Sequence, residues 1–111
     1  MSDIKLIGID LGATNIRAGI VQKGILHTIQ TKKINSTGSI EEVLADFYLL
    51  IDALLDKDVV AIGIGVPSVV NLSKGIVYDV QHIPSWKEVP LKEILEKKYH
   101  LPVFVNNDAN C

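Results

Sequence analysis

The sequence holds a single cysteine, Cys111, so no disulfide can close within it and no multi-cysteine zinc site can be built from it. No apolar run approaches the ~20 residues that a membrane-spanning helix needs. A cleavable leader is missing too. The opening MSDIKLIGID sets Asp3 and Asp10 around a short apolar stretch, which points to a cytoplasmic protein. Charge of one sign is not in excess: the net charge is −2 and the lysines are scattered, leaving no basic footprint for nucleic acid. Repeats, low-complexity tracts and flexible linkers are absent. What remains is 111 residues, 48% of them hydrophobic. That is one domain at most, large enough to bury roughly two thirds of its unfolded surface.

The first third reads as a β-meander. IKLIGIDLG is an almost continuous apolar run, as expected for a strand covered on both faces. GATN makes a tight turn into IRAGIV, and QKG makes a second turn into ILHTIQTKKI, which becomes lysine-rich as an edge strand does. The clearest helix is STGSIEEVLADFYLLIDALLDKD. Ser39 and Glu42 form a capping-box pattern, and Ile40, Val43, Leu44, Phe47, Leu50, Ile51, Leu54 and Leu55 recur at spacings of three and four. VVAIGIGVP is a second buried strand ending at Pro67. Ser68 to Val89 shows no period, and so long a structureless connection points to a functional segment. Pro90 opens a helix, PLKEILEKKYH, as its first residue, and Pro102 opens the last strand, PVFVN. The order β-β-β-α-β-α-β predicts an α/β domain with a mixed five-stranded sheet: helical crossovers make the first, fourth and fifth strands parallel, and the hairpins lay the second and third antiparallel beside the first.

Ligands bind outside the carboxyl ends of parallel strands. Those ends carry Asp10, then Pro67-Ser68, then Asn106-Asn107-Asp108, so three strands bring polar residues to one rim. An ionised carboxylate at a buried edge is costly unless it is paired or bound to metal, which marks Asp10 and Asp108. DLGATN has the parts of a phosphate site: Gly12 for close backbone approach, the Thr14 hydroxyl and Asn15 amide as uncharged donors, and Asp10 to hold a largely hydrated Mg²⁺. It has neither a GK[ST] nor a GxGxxG signature, and an ordinary hairpin turn explains the same residues. In NNDAN, Asp108 suits a base that accepts a hydroxyl proton, and Asn107 suits the orientation of that substrate. A helix N-cap accounts for the same residues, and both roles are compatible.

IGIDLGATNIRAGIV, AIGIGVPSVVNLSKGIVY, HIPSW and LPVFVNNDANC stand in the order and spacing of the ROK family of sugar kinases and sugar-responsive repressors. The chain resembles the N-terminal domain of such a protein over essentially its whole length. The resemblance implies the ribonuclease-H-like fold of actin and hexokinase, with residues 1–111 as the N-terminal lobe and the C-terminal lobe absent from this chain. It implies ATP-dependent phosphorylation of a hexose or N-acetylated aminosugar. Asp10, Gly12, Thr14 and Asn15 would bind ATP phosphates, with Asp10 also toward Mg²⁺. Asn107 would hold the sugar and Asp108 would be the general base, while Ser68 and the segment around Gln81 and His82 would line the sugar pocket. The missing lobe would add the adenosine surface, further sugar contacts and, in many members, a cysteine-rich zinc site. A homodimer is frequent in the family.

Three departures fall where the family faces its substrate. GATN replaces a frequent Gly-Gly-Thr-Lys, Ser68 replaces a glycine after GVP, and HIPSW replaces NLPGW, bringing His82 and Ser85. These leave the sugar open. The resemblance also keeps a second reading, a sugar-binding transcriptional regulator. Such repressors carry a helix-turn-helix module ahead of this fold, which here begins within four residues of Met1, so the kinase is the expectation. An ATPase of the same superfamily that activates a glycyl-radical or chaperone system lacks a counterpart of HIPSW. A purely structural domain leaves three polar strand ends on one rim unexplained.

Overall fold

The computed structural model describes residues 4–12, 14–80 and 82–107. Alternation sets how β1 (Lys5–Leu11) sits: Ile7, Ile9 and Leu11 are buried, while Leu6, Gly8 and Asp10 take the opposite face. β2 (Asn15–Gln22) returns antiparallel, and a two-residue turn leads into β3 (Ile25–Lys33). Both turn residues, Lys23 and Gly24, have positive φ (54° and 75°), the conformation that matches the twist of a tight hairpin. A register shift between Ala18 and Ile20 bulges this pair, which blunts β3 as an edge.

α1 (Ile40–Leu54) starts on the expected capping box, with Ser39 Oγ accepting from the Glu42 N–H and the Glu42 carboxylate accepting from the Ser39 N–H. Its Val43, Leu44, Phe47, Leu50, Ile51 and Leu54 are buried, and it packs on β2 and β3. β4 (Val59–Val66) runs parallel to β1. The segment expected to lack structure instead contains β5 (Val69–Asn71), β6 (Ile76–Tyr78) and β7 (Glu88–Val89), a small antiparallel sheet in the order β5-β6-β7. Strands of two or three residues are too short to show a period in sequence. Gly75, at φ +64°, lets this hairpin press on the next helix, since a Cβ there would lie 2.1 Å from that of Lys92. α2 (Leu91–Tyr99) follows, with Pro90 as its N-cap and not its first residue. β8 (Val103–Asn107) closes the large sheet in the order β3-β2-β1-β4-β8, parallel to β4.

One core serves both sheets. Trp86, wholly buried, stacks on Phe47 with ring centres 5.6 Å apart and planes 11° from parallel, tying the small sheet to α1. Displaced pKa values cluster on the helix side. A hydrogen bond from Lys5 holds Asp56 low, and one from Lys92 does the same for Glu96. Burial pushes Tyr48 up, and burial together with Asp52 pushes Tyr99 up. No described helix is long and apolar enough to cross a membrane. The expectation that β1 and β4 are covered on both faces is met on one only: on the other, Leu6 of β1 is 40% exposed and Phe104 of β8, opposite Gly63 of β4, is 62% exposed.

Candidate functional site

β1, β4 and β8 are parallel, so their carboxyl ends share a rim, and Asp10, Pro67-Ser68 and Asn106-Asn107 all lie there. Period-two alternation divides these residues between the faces of the sheet. Asp10 is exposed on the open face, so its expected burial at an apolar edge is not observed; the polypeptide around it is apolar, but its own side chain stands in solvent. Register places Arg17 opposite Asp10 on β2, Gly65 opposite it on β4, and Asn106 opposite Gly65 on β8. Arg17, Asp10, Gly65 and Asn106 thus form one row across four strands. With no side chain at Gly65, Asp10 and Asn106 flank a gap of two strand spacings, about 10 Å between backbones. Arg17 was not among the sequence candidates, and Asn106 was named on the rim without a role. The hairpin register would have found Arg17.

The first turn is bonded to itself. The Gly12 N–H donates to the Asn15 carbonyl at 2.9 Å, the Ile34 N–H to the Thr14 carbonyl at 2.8 Å, and Asn15 Nδ2 to Thr14 Oγ1 at 3.1 Å. Gly12 therefore contributes its N–H to the turn and not to a ligand. Thr14 Oγ1, already accepting from Asn15, keeps its hydroxyl hydrogen for an exposed partner. Among the described residues no three His, Cys, Asp or Glu side chains gather into a metal site. Asp10 offers one exposed carboxylate, which suits a hydrated hard cation better than a protein-caged one.

On the helix-side rim, Asn107 Nδ2 donates to the Ser68 carbonyl, and the Asn107 N–H donates to Asn106 Oδ1 at 2.8 Å. This brings Ser68 and Asn107 together as expected. Ser68 Oγ is buried and finds no hydrogen-bond partner among the described residues. His82 is exposed at φ +68°. The Ser85 hydroxyl donates to the Gly38 carbonyl at 2.8 Å and pins the loop to the start of α1. Gln81 and Asp108 lie outside the described residues.

The sequence and the fold have relatives. The glucokinase of Streptomyces coelicolor is 37% identical over 107 residues, covering 95% of this chain and 33% of that protein. The xylose repressor of Caldicellulosiruptor bescii is 32% identical, covering 96% of this chain and 28% of that protein. Among solved structures, a ROK family glucokinase from Streptomyces griseus in complex with glucose and AMPPNP superposes with a TM-score of 0.84 at 31% identity, covering 96% of this chain and 34% of that one. The chain thus spans about a third of the length of the curated relatives it matches. The sheet order, the rim and a match over residues 6–111 agree: the chain belongs to the ROK family.

Proposed function

We propose that these residues form the N-terminal lobe of an ATP-dependent kinase that phosphorylates a hydroxyl of a hexose or an N-acetylated aminosugar. The observation that carries the reading is the convergence of Asp10, Ser68 and Asn107 on the rim where three parallel strands end. Similarity to a glucokinase crystallised with glucose and AMPPNP supports it. In this reading the Thr14 hydroxyl and Asn15 amide donate to ATP phosphates, Gly12 shapes their turn, and Asp10 holds a hydrated Mg²⁺. That cation would neutralise phosphate charge. Asn107 and Ser68 hold the sugar, with His82 at the outer edge of the pocket, and Asp108 accepts the proton of the attacking hydroxyl.

Phosphoryl transfer rests mainly on positioning and exclusion of water. One lobe does neither, so residues 1–111 by themselves are expected not to turn over sugar. The test is ADP release across a panel of hexoses and aminosugars, run on the longest natural polypeptide carrying these residues. Sugar-dependent release, absent for residues 1–111 alone, is the expected result. The similarity to a xylose repressor favours a second reading, a sugar-responsive regulator. Saturable sugar binding without ADP release would select it and overturn the kinase.

A further inference from the structure

α2 carries two ion pairs at helical spacing, and their order differs. Glu93 precedes Lys97, the order that suits the helix dipole, and this exposed pair stands at 3.5 Å. Lys92 precedes Glu96, the order that opposes the dipole, yet this pair is closer, at 2.8 Å, and half-buried. Helix stability does not account for it. What it grips is β8. The Ile62 N–H donates to the Pro102 carbonyl at 3.0 Å, so in the parallel ladder Pro102 and Phe104 face β4, and the N–H and carbonyl of Val103 both point off the sheet. β8 is the edge of the large sheet among the described residues. The ion pair takes the place of a neighbouring strand: the Val103 N–H donates to Glu96 Oε2 at 3.0 Å, and Lys92 Nζ donates to the Val103 carbonyl at 2.8 Å.

Lys92 also holds the hairpin that leaves Ser68. Its N–H donates to the Gly75 carbonyl at 3.2 Å, and the Gly75 N–H donates at 2.7 Å to the carbonyl of Asn71, the last residue of β5. One residue thus joins two arms that end at the same corner. Along β8, Val103 lies about 13 Å of strand from Asn107; along β5, Asn71 lies about 10 Å from Ser68. The arms close on each other where Asn107 Nδ2 donates to the Ser68 carbonyl. We propose that Lys92 and Glu96 are positioning residues for the sugar: by fixing β8 against the β5–β6 hairpin, they set the register in which Asn107 and Ser68 meet. This rests on the reading that Asn107 and Ser68 hold the sugar, and adds which residues outside the corner give it its shape. Neither side chain reaches the corner, so each acts through the backbone it holds. A group displaced by about an ångström forfeits much of its effect, so release of the Val103 end reaches the sugar through Asn107.

The test is calorimetric titration of the longest natural polypeptide with a panel of hexoses and N-acetylated aminosugars, at a temperature where circular dichroism shows each variant folded. Lys92→Met keeps the stem beside Gly75 and removes the donor to Val103. It is expected to weaken sugar binding by about tenfold, the worth of one well-placed hydrogen bond, and to leave the affinity for ATP within about twofold. Lys92→Arg keeps charge and donor and should recover the wild-type sugar affinity to within about threefold. Lys97→Met, which breaks the other pair on the same helix, should change neither affinity. Combined with Asn107→Ala, Lys92→Met should add no further loss, since its effect passes through the group already removed. A merely structural pair would give additive losses. That result, or an unchanged sugar affinity in folded Lys92→Met, would overturn the proposal. Should Lys92→Met not fold, Glu96→Gln, which retains an acceptor for the Val103 N–H, carries the same comparison with an expected loss of about threefold. Binding is read without turnover, so a regulator that holds sugar without releasing ADP leaves the test intact. A wild type that binds no sugar of the panel removes the reading and the proposal with it. A wild type that binds sugar no more tightly than folded Lys92→Met removes the proposal alone.

Discussion

The turn after β1 and the corner between β4 and β8 sit on the same rim but treat their polar groups differently. Around the turn, the described residues Gly12, Thr14, Asn15 and Ile34 bond one another. At the corner, Asn107 fixes the Ser68 backbone while the Ser68 hydroxyl is buried and finds no partner among the described residues. Leaving a buried hydroxyl unpaired costs about 1–3 kcal/mol. The turn is a finished loop presenting one hydroxyl hydrogen and a carboxylate. The corner still carries an unsatisfied group, and such groups are retained where a ligand or a closing segment completes them.

That contrast breaks most sharply at the residue following Asn107. In the longest natural polypeptide, Asp108→Asn should lower kcat by roughly 10²–10⁴-fold, the usual loss of a general base, with the sugar dissociation constant moved less than about threefold. Calorimetric sugar titration beside an ADP-release assay separates the two; turnover near the wild-type rate would remove Asp108 as the base. The next effect belongs to the turn. Thr14→Val keeps the shape, removes the hydroxyl hydrogen that the proposed function gives to phosphate and deprives Asn15 of its acceptor. The KM for ATP should rise by about tenfold, the worth of one hydrogen bond to a charged group, while the KM for sugar stays within twofold or so. The reverse pattern would reject the phosphate assignment.

Much of this was legible in the sequence wherever the cause is local. The Ser39–Glu42 cap, the apolar stripe of α1 and the hairpins need only neighbours, and the parallel order follows from crossovers. What failed was non-local. Nothing in IGIDLG says which face of β1 the helices cover, so Asp10 was expected at a buried edge and stands exposed. Nothing near Ser85 announces Gly38, 47 residues away, as its partner, so the position was placed only by resemblance, among those that face a substrate in the family. Short strands such as Glu88–Val89 carry no period at all. Arg17 was recoverable, because the hairpin register from Asp10 fixes its face.

The smallest predicted effect sets Ser68 against Ser85, two serines that stand where the family resemblance has glycine. Ser85→Ala removes the hydrogen bond to the Gly38 carbonyl and leaves a buried glycine's oxygen unpaired, which should destabilise the fold by about 1 kcal/mol. Ser68→Ala removes a hydroxyl that has no partner, while the Asn107 bond to the Ser68 carbonyl is untouched. With that desolvation penalty gone, stability should hold or rise by up to ~1 kcal/mol. Alanine is the right probe at both sites, because glycine would add backbone freedom to the unfolded chain and blur the comparison. Chemical denaturation of the two variants measures the difference directly. Opposite signs would establish that one serine staples the loop and the other is held in reserve for whatever fills the corner. Losses of equal size would mean that Ser68 already has a bond in solution, and the contrast between turn and corner would disappear.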